Sequence, residues 1–202
     1  MTKVVWGAKV ASILVLAFAA TSCGTQTREG TSSSYLVINS LQGSPGQAGS
    51  FGNVLESDVV NVDPTTHAQS IAADQGQVTL ALALKDPGSS TNPNTPTPNN
   101  YVTVTQYHVD YVRSDGRNVQ GVDVPYSFDG AVTNTVQGTS TFSFTLVRIQ
   151  AKQEAPLQAL AGGGSSIAIS TIARVTFYGH DQTGREVSVT GNIEVDFADW
   201  AG

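Results

Sequence analysis

The fold predicted for this chain is an all-β body of two packed antiparallel sheets, and three observations predict it. Short runs that alternate apolar and polar residues recur about eight times between residues 35 and 197. Turn formers separate them, among them Asp86-Pro87-Gly88, Asp115-Gly116 and Thr183-Gly184. With 20 glycines and only 13% charged residues, in a chain rich in Thr, Ser, Val and Asn, the composition suits strands and turns over helices. Strands in that rhythm bury one face each by stacking into a sandwich.

The chain opens with a different kind of segment. Lys3 and Lys9 flank a short positive start, an apolar run covers residues 10–20, and Ala20-Thr21-Ser22 leads to Cys23, the only cysteine. That pattern reads as a secretory signal. Eleven residues at about 1.5 Å each reach roughly half of a hydrocarbon core about 30 Å thick, so the run is too short to span a membrane. The stretch resembles a bacterial lipoprotein signal. The resemblance implies cleavage before Cys23, lipid on its thiol and an acylated new amino terminus. One acyl chain anchors only marginally, at about 0.8 kcal/mol per buried methylene, whereas the three chains implied here suffice. Gly24 stands where an aspartate would favour the inner membrane, so the same resemblance points to the outer membrane, facing the periplasm or the cell surface.

Three segments follow as domain boundaries: a signal peptide at 1–22, a lipidated flexible tether at 23–34 and one folded domain at 35–202. The tether holds Thr, Ser, Gly and Gln with nothing apolar to bury. The full chain carries a net charge of −6, and losing Lys3 and Lys9 with no acidic residue takes the mature side chains to −8. Such a chain repels phosphate backbones and shows no Lys/Arg cluster, which excludes nucleic acid as the expected partner. Once Cys23 is modified, no internal disulfide is possible.

Within the domain, residues 35–38 predict a first strand and 54–60 a second, edge-like one. Residues 61–77 lack a period, and Asp63-Pro64 is read as capping a short helical turn towards Ala73. Val78, Leu80, Leu82 and Leu84 mark one face of a core strand. Residues 86–100, rich in Pro and Asn, predict an exposed loop. Along residues 101–113 the apolar set changes phase, from Val102 and Val104 to Tyr107, Val109 and Tyr111, which requires a bulge near Thr105-Gln106. A strand at 122–128 with Pro125 at an edge, a turn at Asp129-Gly130, and a strand at 141–149 come next. Leu157, Leu160 and Ala161 sit at helical spacing within 151–161, where Pro156 keeps the helix short and Gly162-Gly163-Gly164 ends it. Residues 172–178 and 187–197 form the last pair, with Val187, Val189, Ile193, Val195 and Phe197 all facing one way.

That closing hairpin, Val175-Thr-Phe-Tyr-Gly-His-Asp-Gln-Thr-Gly-Arg-Glu-Val187, resembles the last hairpin of bacterial immunoglobulin-like and fibronectin-like domains. The resemblance implies an immunoglobulin-like antiparallel sandwich with one short helix, without the Cys, Trp, Cys core of antibody domains.

Candidate chemistry is sparse. His108 and Asp110 share a strand face, but no third ligand is spaced to join them, and neither His67 nor His180-Asp181 improves the set. No metal or cofactor is expected. The serines lack a Gly-x-Ser-x-Gly elbow, the triple glycine follows a helix instead of opening one, and acidic tips such as Asp115 and Asp181 lack the density of a calcium loop. No catalytic residue is assigned, and an enzyme is not expected. The expected function is a membrane-anchored, non-enzymatic binding or scaffold module for an envelope protein, with residues 86–100 and 122–128 as candidate contact surfaces. The alternative is a glycan or small-ligand site on strand 101–111, stacking on Tyr101, Tyr107 and Tyr111 if their rings share an exposed face.

Overall fold

The structure, a computed structural model, describes residues 32–46 and 50–200. The expected signal peptide, Cys23 and the tether up to residue 31 lie outside the described residues. The folded body begins at Ser32, slightly before the expected boundary at 35: Ser32 and Ser34 are already buried, and their hydroxyls lie 3.1 Å apart.

In chain order the strands are β1 (Ser34–Ser44), β2 (Val54–Asp58), β3 (Asn61–Val62), β4 (Gln69–Ser70), β5 (Asp74–Leu84), β6 (Gly88–Ser89), β7 (Asn92–Pro93), β8 (Val102–Val112), β9 (Phe128–Val136), β10 (Thr139–Val147), β11 (Ile169–Asp181) and β12 (Glu186–Ala198). Two sheets carry the fold. One is ordered β1-β5-β10 and the other β2-β12-β11-β8-β9; β3-β4 and β6-β7 are separate two-stranded ribbons. All pairings are antiparallel except β2 with β12. The chain leaves β1, is held by paired Gly43 and Gly52 backbone hydrogen bonds of 2.8 Å, and crosses to the opposite sheet as β2. First, second and fifth long antiparallel strands on one side, third, sixth and seventh on the other, give the immunoglobulin-like arrangement, with β9 placed beside β8.

Alternation accounts for most of the core. Val78 and Leu80 from β5, Phe144 and Leu146 from β10, and Val175 and Phe177 from β11 are buried between the sheets with Ile193, Val195 and Phe197 of β12. Tyr107 sits at the centre of an aromatic cluster, 5.1 Å from Phe144, 6.2 Å from Phe128 and 6.4 Å from Phe177 between ring centroids. Edge-on packing of this kind adds to what burial alone supplies.

The phase change in β8 is a bulge. Register slips between Val104 and Gln106 against β9, and opposite it between Tyr178 and Gly179 of β11. Val102, Val104, Tyr107, Val109 and Tyr111 all point inward as a result, while Thr105 and Gln106 are exposed. A single unbroken register would have put one of the two apolar sets into water.

Four expectations need correction. Residues 122–127 form no strand but a loop, closed by an isolated bridge from Gln120 to Val124, and the strand is β9 at Phe128–Val136. Asp129-Gly130 is therefore not a turn. Gly130 lies in β9 because a Cβ there would collide with the ring of Tyr107. The helical turn expected from Asp63-Pro64 towards Ala73 stops after one turn: Asp63 Oδ1 accepts the backbone N–H groups of Thr65 and Thr66 at 2.8 and 2.7 Å, Asp63 O accepts the His67 N–H at 2.9 Å, and β4 takes over at Gln69, so the turn only joins β3 to β4. The expected helix at 151–161 is divided, with α1 at Ile149–Gln153 and a 3-10 turn at Leu157–Leu160 on either side of Pro156. It joins β10 of one sheet to β11 of the other, as a crossover between sheets must.

Candidate functional site

The three tyrosines of the aromatic strand do not make a platform. Tyr107 and Tyr111 are 5% and 1% exposed, and Tyr101 precedes β8 in a partly buried position. The Tyr111 hydroxyl donates to Leu146 O at 2.7 Å, and the Tyr107 hydroxyl accepts the Thr145 N–H at 3.2 Å. Burial pushes the Tyr111 phenol well above its ordinary value, with the charge of Asp74 acting in the same direction. These rings tie the two sheets together from within, and a stacking face for sugar is absent from this strand.

On the outer face of the five-stranded sheet, the register sets Asp110 opposite Arg174, and His108 between Thr176 and Asp129. His108 Nδ1 lies 2.8 Å from Asp129 Oδ1. The histidine thus pairs across strands with a residue from β9 and not with Asp110. Beside it the bulge opens a shallow pocket of about 360 Å³, lined by Thr105, Gln106, Asp129, Gly130 and Ala131. This face offers hydrogen-bond donors and acceptors to a polar ligand. His180 is exposed on β11, and Asp181 turns inward. Burial alone would raise the Asp181 carboxyl, but hydrogen bonds from Thr183, Ser32 and the backbone of Arg185 and Thr183 outweigh it and hold it at about 2. Asp181 caps the β11–β12 turn and is a structural group. Asp115 is gripped by Arg113 and Arg117, each at 2.8 Å, and is held far below the usual carboxylate range by those hydrogen bonds. Among the described residues no three His, Cys, Asp or Glu side chains group as metal ligands would.

The densest polar chemistry lies where β1, β10 and β12 end. Asp74 opens β5 next to Val147, and Lys152 projects from α1 into the same interior. Lys152 Nζ is 2.9 Å from Asp74 Oδ1 and donates to Asp58 O at 2.7 Å, with both side chains essentially sealed from solvent. Ser57 Oγ donates to Asp74 Oδ2 at 2.6 Å, and Gly46 N–H donates to Oδ1 at 3.0 Å. Asp58 and Asp199 are buried alongside. Trp200 N–H donates to Asp58 Oδ1 at 3.1 Å, and Gly162 N–H to Asp199 Oδ2 at 2.6 Å. Burial raises the Asp58 carboxyl, and the neighbouring Asp199 adds to the rise. This cluster is not visible as a motif, because Asp74 and Lys152 are 78 residues apart. The sequence offers no signal for it beyond Lys152 itself, the only lysine after Lys85.

The sandwich has two distinguishable ends. Ser34 is aligned with Leu84, the Ser34 hydroxyl donates to Asn100 O at 2.7 Å, and Gln182 reaches Thr103, so the chain enters at an end formed by the 86–100 loop and the β11–β12 turn. That loop is exposed, as expected, and carries the small β6-β7 ribbon. At the opposite end lie the Lys152 cluster and the 113–127 loop. Here Val119, Val122, Tyr126, Ile149 and Ile167 stand exposed, Val122 at 67%.

Set against models of protein families and against curated proteins, the chain matches none. Among the described residues no helix is long and apolar enough to cross a membrane.

Proposed function

We propose that the chain is a bacterial cell-envelope lipoprotein, held at the outer membrane by lipid on Cys23, whose sandwich works as a non-enzymatic binding module for another envelope protein. The observation that carries this reading is the run at 10–20 followed by Ala20-Thr21-Ser22-Cys23, which places the only cysteine where a lipidated residue would stand. The division of the sandwich into ends supports it. A body tethered at the Ser32 end presents the opposite end outward, and that end exposes Val119, Val122 and Tyr126 on one loop. Tethering raises the local concentration of such a surface near the membrane without any new contact.

Metabolic labelling with an alkyne fatty acid, followed by membrane fractionation, tests the anchor. The wild-type chain carries label and sediments with membranes, and Cys23→Ala does neither; label-free wild-type protein would overturn the anchor. Mild cross-linking in the native envelope tests the surface. Val122→Asp with Tyr126→Ser should lose the captured partner while the anchor persists, and an unchanged partner profile would overturn the assignment of this loop.

A further inference from the structure

A lysine and an aspartate with no access to water need a reason to be there. Burying an ion pair costs solvation on both partners, and an apolar pair of similar volume would fit the same space. At the far end of this sandwich the two groups are not merely close but surrounded as reactants. The Lys152 nitrogen and the Asp74 carboxyl touch at 2.9 Å, Ser57 Oγ–H points at one carboxyl oxygen from 2.6 Å, and Gly46 N–H points at the other from 3.0 Å. Two donors on one carboxyl polarise its carbon in the way that an oxyanion site does. Asp58 O, 2.7 Å from Nζ, aims the nitrogen through one of its hydrogens while a second meets Asp74 Oδ1.

We propose that the folded chain joins Lys152 to Asp74 through an intramolecular amide bond, making this cluster a self-modification site. The Lys152 ammonium passes one proton to Asp74 Oδ1 along their hydrogen bond, leaving an amine and a carboxylic acid. The Nζ lone pair then forms a bond to Cγ, and the displaced carbonyl pair moves onto Oδ2, where Ser57 Oγ–H meets it. A second proton moves from the nitrogen to Oδ1, the Cγ–Oδ1 bond breaks, and Oδ1 departs as water while the Oδ2 carbonyl re-forms. The remaining amide N–H keeps its bond to Asp58 O. An ammonium and a carboxylate become an amide and one water, with no oxidant, metal or outside proton carrier. Gly46, itself exposed, marks a short way out for that water.

Two physical effects favour this outcome. Groups held in contact by a fold react as though present at about 10⁵–10⁸ M, and once the released water has left, burial of the amide disfavours its return for the reverse reaction. The product would clamp the start of β5 to the crossover after β10, closing a 78-residue separation with a bond that denaturants do not open.

The experiment is a tryptic map of the full-length protein purified in its folded state and then denatured. The expected result is one branched peptide joining the segment that holds Asp74 to the segment 149–174, lighter than the two together by one water, with no cleavage after Lys152. In Asp74→Asn, where an amide replaces the carboxylate that takes the ammonium proton, and in Lys152→Arg the branched peptide is absent. Cleavage after Lys152 in the folded wild-type protein, with the Asp74 peptide at its full mass, would overturn the proposal and leave an ordinary buried ion pair only.

Discussion

The two ends of the sandwich solve the same problem, closing a stack of sheets, with opposite materials. The end where the chain enters is finished by exposed backbone turns and short polar side chains, with Asp181 its one buried carboxylate: Asn100 Nδ2 donates to Ser33 Oγ at 2.8 Å, Gln182 Nε2 donates to Thr103 Oγ1 at 3.0 Å, and the 86–100 loop packs almost nothing. The far end is finished by charges withdrawn from water and by apolar side chains left in it. The difference teaches where the molecule is committed. Polar closure at a wet surface costs little to alter, because water replaces each lost hydrogen bond. A buried carboxylate or ammonium has no such substitute.

The largest expected break of this comparison is at the far end. Lys152→Ala strands the Asp74 carboxylate in the interior and should cost about 3–5 kcal/mol of folding stability, read by urea denaturation. Gly130→Ala pushes a Cβ into the Tyr107 ring and should cost about 1–3 kcal/mol by the same measurement. Tyr111→Phe leaves Leu146 O without its donor and should fall in the same range, about 1–3 kcal/mol, with the fold intact by circular dichroism.

Two carboxyls sharpen the comparison by sign. Asp58 is raised by burial, so the cost of its charge is absent below its unfolded value of about 3.9 and grows as pH rises through its folded pKa. Asp58→Asn should therefore raise Tm at neutral pH, with the gain vanishing in acid. Asp181, held at about 2, contributes stability above about pH 4 and loses it as pH falls towards 2. Asp181→Asn should lower Tm at neutral pH, and the deficit should close in that acid window. Thermal melts of both variants across the range check the opposite slopes. The smallest effect belongs to the near-end loop, where Thr91→Ala should stay within about 0.5 kcal/mol in a urea titration.

Strand faces were legible wherever a two-residue period met the core. Val187 to Phe197 keep one phase throughout, and the phase break between Val104 and Tyr107 marks the bulge of β8. β9 was hidden because its inward position 130 is a glycine, chosen for the ring of Tyr107 and not for backbone freedom. Asp129-Gly130 carries the same two letters as a turn. The tyrosines misled for a related reason: alternation says that three rings share a strand, but not whether that face looks at solvent or at Phe144 and Phe177. The Lys152 cluster was beyond reach because it is assembled from β2, β5 and α1, which nothing in local spacing connects.

Ser32 and Trp200 lie at opposite ends of the strands, with Trp200 N–H bonded to Asp58 beyond the last turn of β12. A particle fastened at the first and tugged at the second is stretched lengthwise, so its ladder bonds share the load and must give way together.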